Sequence, residues 1–151
     1  MYSLAVAVAA LAGACAPGDA DVNSRLEANK AVVMRGWEDG FNQGDLDAIG
    51  EVFDEDYVEL TPYGAVEQGG PERAKQAYEW MQSVFGDIQF EVEQVIAEGD
   101  FVVLHCSQEW PDENDYAGID IFRFDANGKI VEHWDVLQVV PETSAHDNGM
   151  F

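Results

Sequence analysis

The chain has 151 residues, 47% hydrophobic and 11% aromatic, which suffices for one packed domain and excludes a disordered chain. Asp plus Glu number 30 against 7 Lys plus Arg, a formal charge of -23. Such a surface repels nucleic acid and anionic membranes, so neither is expected as a partner. The acids are scattered along the chain, and their mutual repulsion predicts a fold that gains stability in salt.

Met1 to Ala14 is a run of small and apolar residues. Its hydrophobic part, Leu4 to Ala14, is too short to span a bilayer and has the length of a signal-peptide core. Cys15 follows Leu11-Ala12-Gly13-Ala14 and resembles a lipoprotein cleavage site, although no Lys or Arg precedes the run. Residues 1–22 are therefore expected to be a signal or lipoprotein segment with a linker from Ala16 to Val22, and residues 23–151 the domain. A lipid anchor at Cys15 implies the periplasm or cell envelope; without a signal the location is the cytoplasm. The second cysteine, Cys106, then has no disulfide partner and is expected to be a small buried or interface residue.

In chain order, Asn23 or Ser24 can cap a helix reaching about Asn42, with Leu26, Lys30, Val33, Trp37 and Phe41 on one side. Asp45 caps a short helix through Leu46, Ile49, Val52 and Phe53. Tyr57 to Thr61 reads as a strand. Gly69-Gly70-Pro71-Glu72 opens a third helix, with proline in its first turn. Ile88 to Ala97 and Phe101 to Trp110 are strands joined by Glu98-Gly99-Asp100. Helices first and strands afterwards indicate an α+β domain with an antiparallel sheet.

The stretch Ala117 to Val140 holds two alternating runs around Asp125-Ala126-Asn127-Gly128-Lys129. Gly128 suits the left-handed position of a three-residue hairpin loop. Counting outward pairs Asp125 with Lys129, Phe124 with Ile130, Phe122 with Glu132 and Asp120 with Trp134. If Pro111-Asp112-Glu113-Asn114 is the preceding loop, Trp110 faces Asp115 and His105 faces Asp120. One row would then read His105, Asp120, Trp134. A one-residue slip would break it, because neighbouring strand residues point to opposite faces.

The segment D-I-F-R-F-D-A-N-G-K-I-V-E-H-W-D-V-L-Q, with the terminal N-G-M-F, resembles the SnoaL-like polyketide cyclase family of the nuclear transport factor 2-like superfamily. The resemblance runs from about Asn29 to Phe151. It implies a cone-shaped α+β fold, three N-terminal helices packed on a curved, mainly antiparallel sheet with a pocket at the open end. It also implies a homodimer and acid/base roles for a strand Asp and a strand His, which fall on Asp120 and His105. The chain departs from the family in having Leu60 and Thr61 before Pro62, where many relatives carry a His-Asn pair, and Val103 two residues before His105.

Asp120 stands among apolar neighbours, and burial of a carboxylate disfavours its charged form, which suits proton transfer. The alternative is a structural, hydrogen-bonded Asp. Trp37, Tyr57, Phe122 and Trp134 are expected to line an apolar pocket for a flat substrate, with core packing as the equal alternative. Glu132 and Gln138 share the alternation of Asp120 and are candidate polar contacts. The same arithmetic puts His133 and Asp135 on the opposite face, with Leu104, Ile119 and Ile121, as an interface. The sequence carries no phosphate-binding glycine loop, nucleophile elbow or Cys/His metal cluster, so neither cofactor nor metal is expected. The expected function is cofactor-free acid/base chemistry on a small molecule, by aldol cyclisation, isomerisation or hydration. The alternatives are a ligand-binding or a dimerisation module of the same fold.

Overall fold

The computed structural model describes residues 18–61, 69–111 and 114–151. The expected leader and Cys15 lie outside the described residues. Helix α1 runs from Asp19 to Arg35 and passes directly into a π-helical segment, Gly36–Asn42. The linker therefore ends earlier than the sequence suggests. Gly18 takes the extended N-cap conformation, and Asp19 and Asp21 in the first turn complement the helix dipole, so the helix needs no cap at Asn23. Helix α2, Leu46–Val52, is capped as expected, the Asp45 carboxylate accepting from the backbone N–H of Asp47 and Ala48. Strand β1, Phe53–Glu59, starts at the end of that helix, four residues before the expected position. Helix α3, Gly70–Phe85, begins with proline in its first turn.

The strands β2 (Gln89–Glu98), β3 (Phe101–Glu109), β4 (Tyr116–Phe124) and β5 (Ile130–Val139) complete a five-stranded sheet ordered β1-β5-β4-β3-β2. Strand β1 runs parallel to β5, and all other pairs are antiparallel. The first strand thus lies beside the last. This is the α+β architecture expected, three helices on a mainly antiparallel sheet. The helices cover one face of the sheet. Val33, Trp37, Phe41, Ile49 and Val52 from the helical side pack on Val102, Leu104, Phe122, Phe124 and Ile130.

The β4–β5 turn forms as counted. The backbone N–H of Asp125 donates to the Lys129 carbonyl at 2.9 Å, and Gly128 has φ 79, which a side chain would disfavour. Phe124 pairs with Ile130, but Arg123 pairs with Glu132, so Val131 is an extra residue in β5. A bulge of this kind shifts the remaining register by one and turns later side chains over. Phe122 accordingly faces His133, Ile121 faces Trp134, and Asp120 faces Asp135. The β3–β4 register also differs by one from the count. Gln108 pairs with Tyr116, closer to the turn than a four-residue loop demands, so Leu104 faces Asp120 and His105 faces Ile119. The row His105, Asp120, Trp134 does not form.

Candidate active site

Alternation along β4 places Asp120 on the covered face with Phe122 and Phe124, where it is 3% exposed. The bulge brings His133 and Asp135 to that same face, and Leu104 joins it as well. On β1, alternation puts Glu59 on the side of Tyr57. With Cys106 and Gln108 of β3 on the same face, four strands deliver polar side chains to one floor.

His133 sits between two carboxylates. Its Nδ1 lies 3.0 Å from Glu59 Oε2 and its Nε2 lies 3.1 Å from Asp120 Oδ1. With both ring nitrogens facing carboxylate oxygens, the doubly protonated ring satisfies both as a donor. The network continues on either side. The Tyr57 hydroxyl donates to Glu59 Oε2 at 2.5 Å, and the Cys106 thiol donates to Asp120 Oδ2 at 3.1 Å. Gln108 Nε2 donates to Cys106 Sγ at 3.5 Å, and Trp110 Nε1 donates to Gln108 Oε1 at 3.0 Å. Gly118 makes room for this arm, since a Cβ there would stand 2.6 Å from Gln108 Nε2 and 2.9 Å from Cys106 Sγ. The imidazole stacks on Phe122 with ring centroids 4.7 Å apart at 6°, a favourable contact for a cationic ring.

Charge and burial oppose each other here, and pairing prevails at His133. Burial works against its charge, but the hydrogen bonds to Asp120 and Glu59 and the charges behind them push it up to about 10. Burial likewise works against the Glu59 carboxylate, but the hydrogen bond and charge of His133, with the Tyr57 hydroxyl and the Thr61 N–H, bring it down to about 2. Burial, then the nearby Asp120 charge, hold the Cys106 thiol well above its usual range, so it stays a thiol. Burial, then the Glu59 charge, do the same for the Tyr57 phenol. Asp135 has no such pairing. Burial, then the charge of Asp120, push it up to about 6, and its Oδ1 is buried without a hydrogen-bond partner among the described residues.

Above this floor lies a cavity of about 340 Å³. Tyr57, Glu59, Gln108, Asp120, His133 and Asp135 line its polar side, and Arg73 of α3 borders it. Trp37 and Phe41 enter from the π-helical segment, a feature frequent at functional sites. Trp80, Phe85, Trp110 and Tyr116 form a continuous aromatic wall, with successive ring centroids 5.7, 4.7 and 5.2 Å apart. The arrangement can hold a flat apolar molecule against acid/base groups.

Of the residues singled out in the sequence, Asp120, Trp37 and Tyr57 line this cavity. Phe122 is fully buried beneath it, packed on Trp37 and His133. The other four lie away from it. His105 is on the outer face of the sheet and stacks on Phe151. Trp134, turned outward by the bulge, lies beside Phe101. Glu132 pairs with Arg123 on that outer face through two 2.6 Å hydrogen bonds, and Gln138 is exposed. The residues that sequence reasoning assigned elsewhere or passed over are His133, Asp135, Glu59, Cys106 and Gln108. A bulge placed after Gly128 would have turned His133 and Asp135 inward, and alternation from Tyr57 already pointed to Glu59. Among the described residues no cluster of three or more His, Cys, Asp or Glu side chains has the arrangement of a metal site.

The SnoaL-like domain family matches residues 34–133, two thirds of the chain. The chain belongs to that family. The SnoaL-like fold recurs in solved structures. IdmH of Streptomyces antibioticus, a candidate polyketide cyclase, is 23% identical with a TM-score of 0.61, covering 72% of this chain and 91% of that one. A nuclear transport factor 2-like protein of unknown function from Burkholderia xenovorans is 20% identical with a TM-score of 0.64, covering 80% and 91%. A candidate SnoaL-like polyketide cyclase from a Jannaschia species is 18% identical with a TM-score of 0.64, covering 74% and 85%. At these identities the likeness is one of fold. No curated protein matches the sequence.

Proposed function

We propose that this SnoaL-like chain is an enzyme doing acid/base chemistry with its own side chains on a small, flat carbonyl compound. The reaction is an aldol-type cyclisation, an isomerisation or a hydration, each of which acid/base side chains can catalyse by moving protons. The observation that carries this reading is the floor of the cavity. A fixed imidazolium and three carboxylates stand at the base of an aromatic pocket. Asp120 faces inward and the cavity is not filled by side chains, which favours an enzyme over a purely structural module. The polyketide cyclase names carried by neighbours of the same fold point to the same substrate class.

The test is turnover of a panel of cyclic and polyketide-like carbonyl compounds by the wild type and by Asp120→Asn. Asn keeps the shape but releases the charge that holds His133. Positioned acid/base groups contribute about 10²–10⁴-fold in rate, and Asp120→Asn, which disturbs their arrangement, is expected to lose part of that range while circular dichroism shows a retained fold. A wild type inactive on the whole panel, or a fully active Asp120→Asn, overturns the reading.

A further inference from the structure

The acid/base reading leaves open which group exchanges the proton. Asp120 is the obvious choice from its strand position, yet both of its oxygens are occupied. Oδ1 faces His133 at 3.1 Å and Oδ2 accepts from Cys106 at 3.1 Å. Glu59 is likewise held, between Tyr57 and His133. Asp135 lies directly across the β4–β5 ladder from Asp120, lines the same cavity, and its Oδ1 has no hydrogen-bond partner among the described residues. Among the described residues the Trp37 indole is a donor in the matching condition. Trp37 lines the cavity, and its indole N–H is buried without a partner. An unsatisfied buried polar atom is costly, and a ligand that satisfies both atoms relieves that cost.

We propose that Asp135 is the catalytic residue that takes and returns the proton, and that the ligand presents its oxygen to the Trp37 indole N–H. Asp120, His133 and Glu59 are then positioning residues that fix the charge around it. The inference rests on the acid/base reading above. The ligand class is a neutral, planar ketone or related carbonyl compound with an acidic C–H beside the carbonyl. The Asp135 carboxylate removes that proton, and the C–H electron pair moves into the enolate, whose oxygen accepts from Trp37. In an isomerisation, the carboxylic acid of Asp135 returns the proton to a second carbon. In an aldol step the enolate carbon bonds to a second carbonyl carbon, and the alkoxide so formed takes the proton back. Nothing is oxidised or reduced in either case.

Among the described residues, the titratable and charged groups around Asp135 are Asp120 on β4, His133 on β5, Glu59 and Tyr57 on β1, Cys106 on β3 and Arg73 on α3. Of the first three, His133 favours the carboxylate, while Asp120 and Glu59 oppose it. The group is thereby poised to change its protonation state close to neutral pH.

The experiment uses 2-naphthol as a probe, because its one hydroxyl can donate to a carboxylate and accept from an indole N–H. Binding to the full chain is measured by calorimetry from pH 5 to pH 7, alongside Asp135→Asn and Trp37→Phe. The wild type is expected to bind about tenfold more tightly at pH 7 than at pH 5, as the carboxylate form becomes populated. Asp135→Asn is expected to bind with a flat pH dependence, and Trp37→Phe to bind more weakly while keeping the slope. On any compound the wild type turns over, Asp135→Asn is expected to lose at least about 10²-fold in kcat. Naphthol that binds with no pH dependence, or equally well to Asp135→Asn, overturns the inference and leaves the pocket reading standing. Naphthol that does not bind overturns both.

Discussion

The β4–β5 hairpin carries an ion pair on each face, and the two have different physical weight. Outside, Arg123 and Glu132 meet through two 2.6 Å hydrogen bonds in contact with solvent. Inside, His133 meets Glu59 and Asp120 at slightly longer distances, 3.0 and 3.1 Å, with the histidine side chain only 12% exposed. Distance alone would favour the outer pair. Water screens the outer charges, however, and their release on breaking costs little. Inside, each charge has lost its hydration and depends on its partner, so breaking the contact leaves a buried charge uncompensated. The comparison teaches that burial, more than bond length, decides which charges hold the fold and which can do chemistry.

Removing the centre of the inner network should have the largest effect. His133→Ala leaves Glu59 and Asp120 close together and unpaired, and a buried partner lost in this way costs about 3–5 kcal/mol. Urea unfolding at neutral pH would measure it. A loss no larger than that of Arg123→Gln would erase the distinction between the faces.

A smaller effect should appear in the dependence of stability on pH. His133 is raised from 6.5 to about 10, so its contribution is complete below 6.5 and fades as pH climbs through 10. Glu59 is lowered from 4.5 to about 2, so its contribution is complete above 4.5 and fades as pH falls through 2. Asp135 is raised from 3.8 to about 6, so its contribution is present below 3.8 and is lost as pH rises through 6. Unfolding midpoints from pH 2 to pH 11 should therefore show a maximum near pH 4 to 4.5, a falling limb below it from Glu59, and a decline above it in two steps, through pH 6 from Asp135 and through pH 10 from His133. His133→Ala should flatten the alkaline limb. A midpoint that keeps rising to pH 11 would contradict the network.

The smallest effect belongs to the outer face. Arg123→Gln and His105→Ala should leave both turnover and melting temperature essentially unchanged, because neither residue touches the cavity. Melts and assays at low and high salt would check this. A drop of several degrees, or a loss of activity in His105→Ala, would move the functional face to the other side of the sheet.

Much of this molecule was legible in the sequence. Asp45 announced its helix, Gly70-Pro71 announced another, and alternation placed Asp120 on the covered face. The resemblance carried by the Asp120-to-Gln138 segment indicated the fold. What the sequence did not show was the identity of Asp120's neighbours. The loop at Asp125–Lys129 was read correctly, yet the extra residue at Val131 exchanged the two faces of β5 beyond it. A bulge costs nothing that hydropathy can detect here, because both faces of β5 carry mixed residues. His105 was chosen by a count across a turn, and an error of one residue there moves a side chain through the sheet. The parallel pairing of β1 with β5 was equally hidden, since no local pattern links strands so far apart.

That pairing ties assembly of the site to the folding of the chain. Glu59 and its partner His133 are 74 positions apart in sequence, and α3 and the strands β2 to β4 lie between them. Such a contact closes a long loop, whose entropy must be met before any stabilisation is returned, so it belongs to the late part of folding. Until β1 docks, His133 has only Asp120 and Glu59 remains in water. A partly folded chain with β2 to β5 in place would therefore already have much of its hydrophobic core, but only the Asp120, His133 and Asp135 part of the charged floor of its cavity. Hydrogen exchange should show β1 opening more readily than β3 and β4, and each such opening would dismantle the floor while the rest of the sheet stays closed.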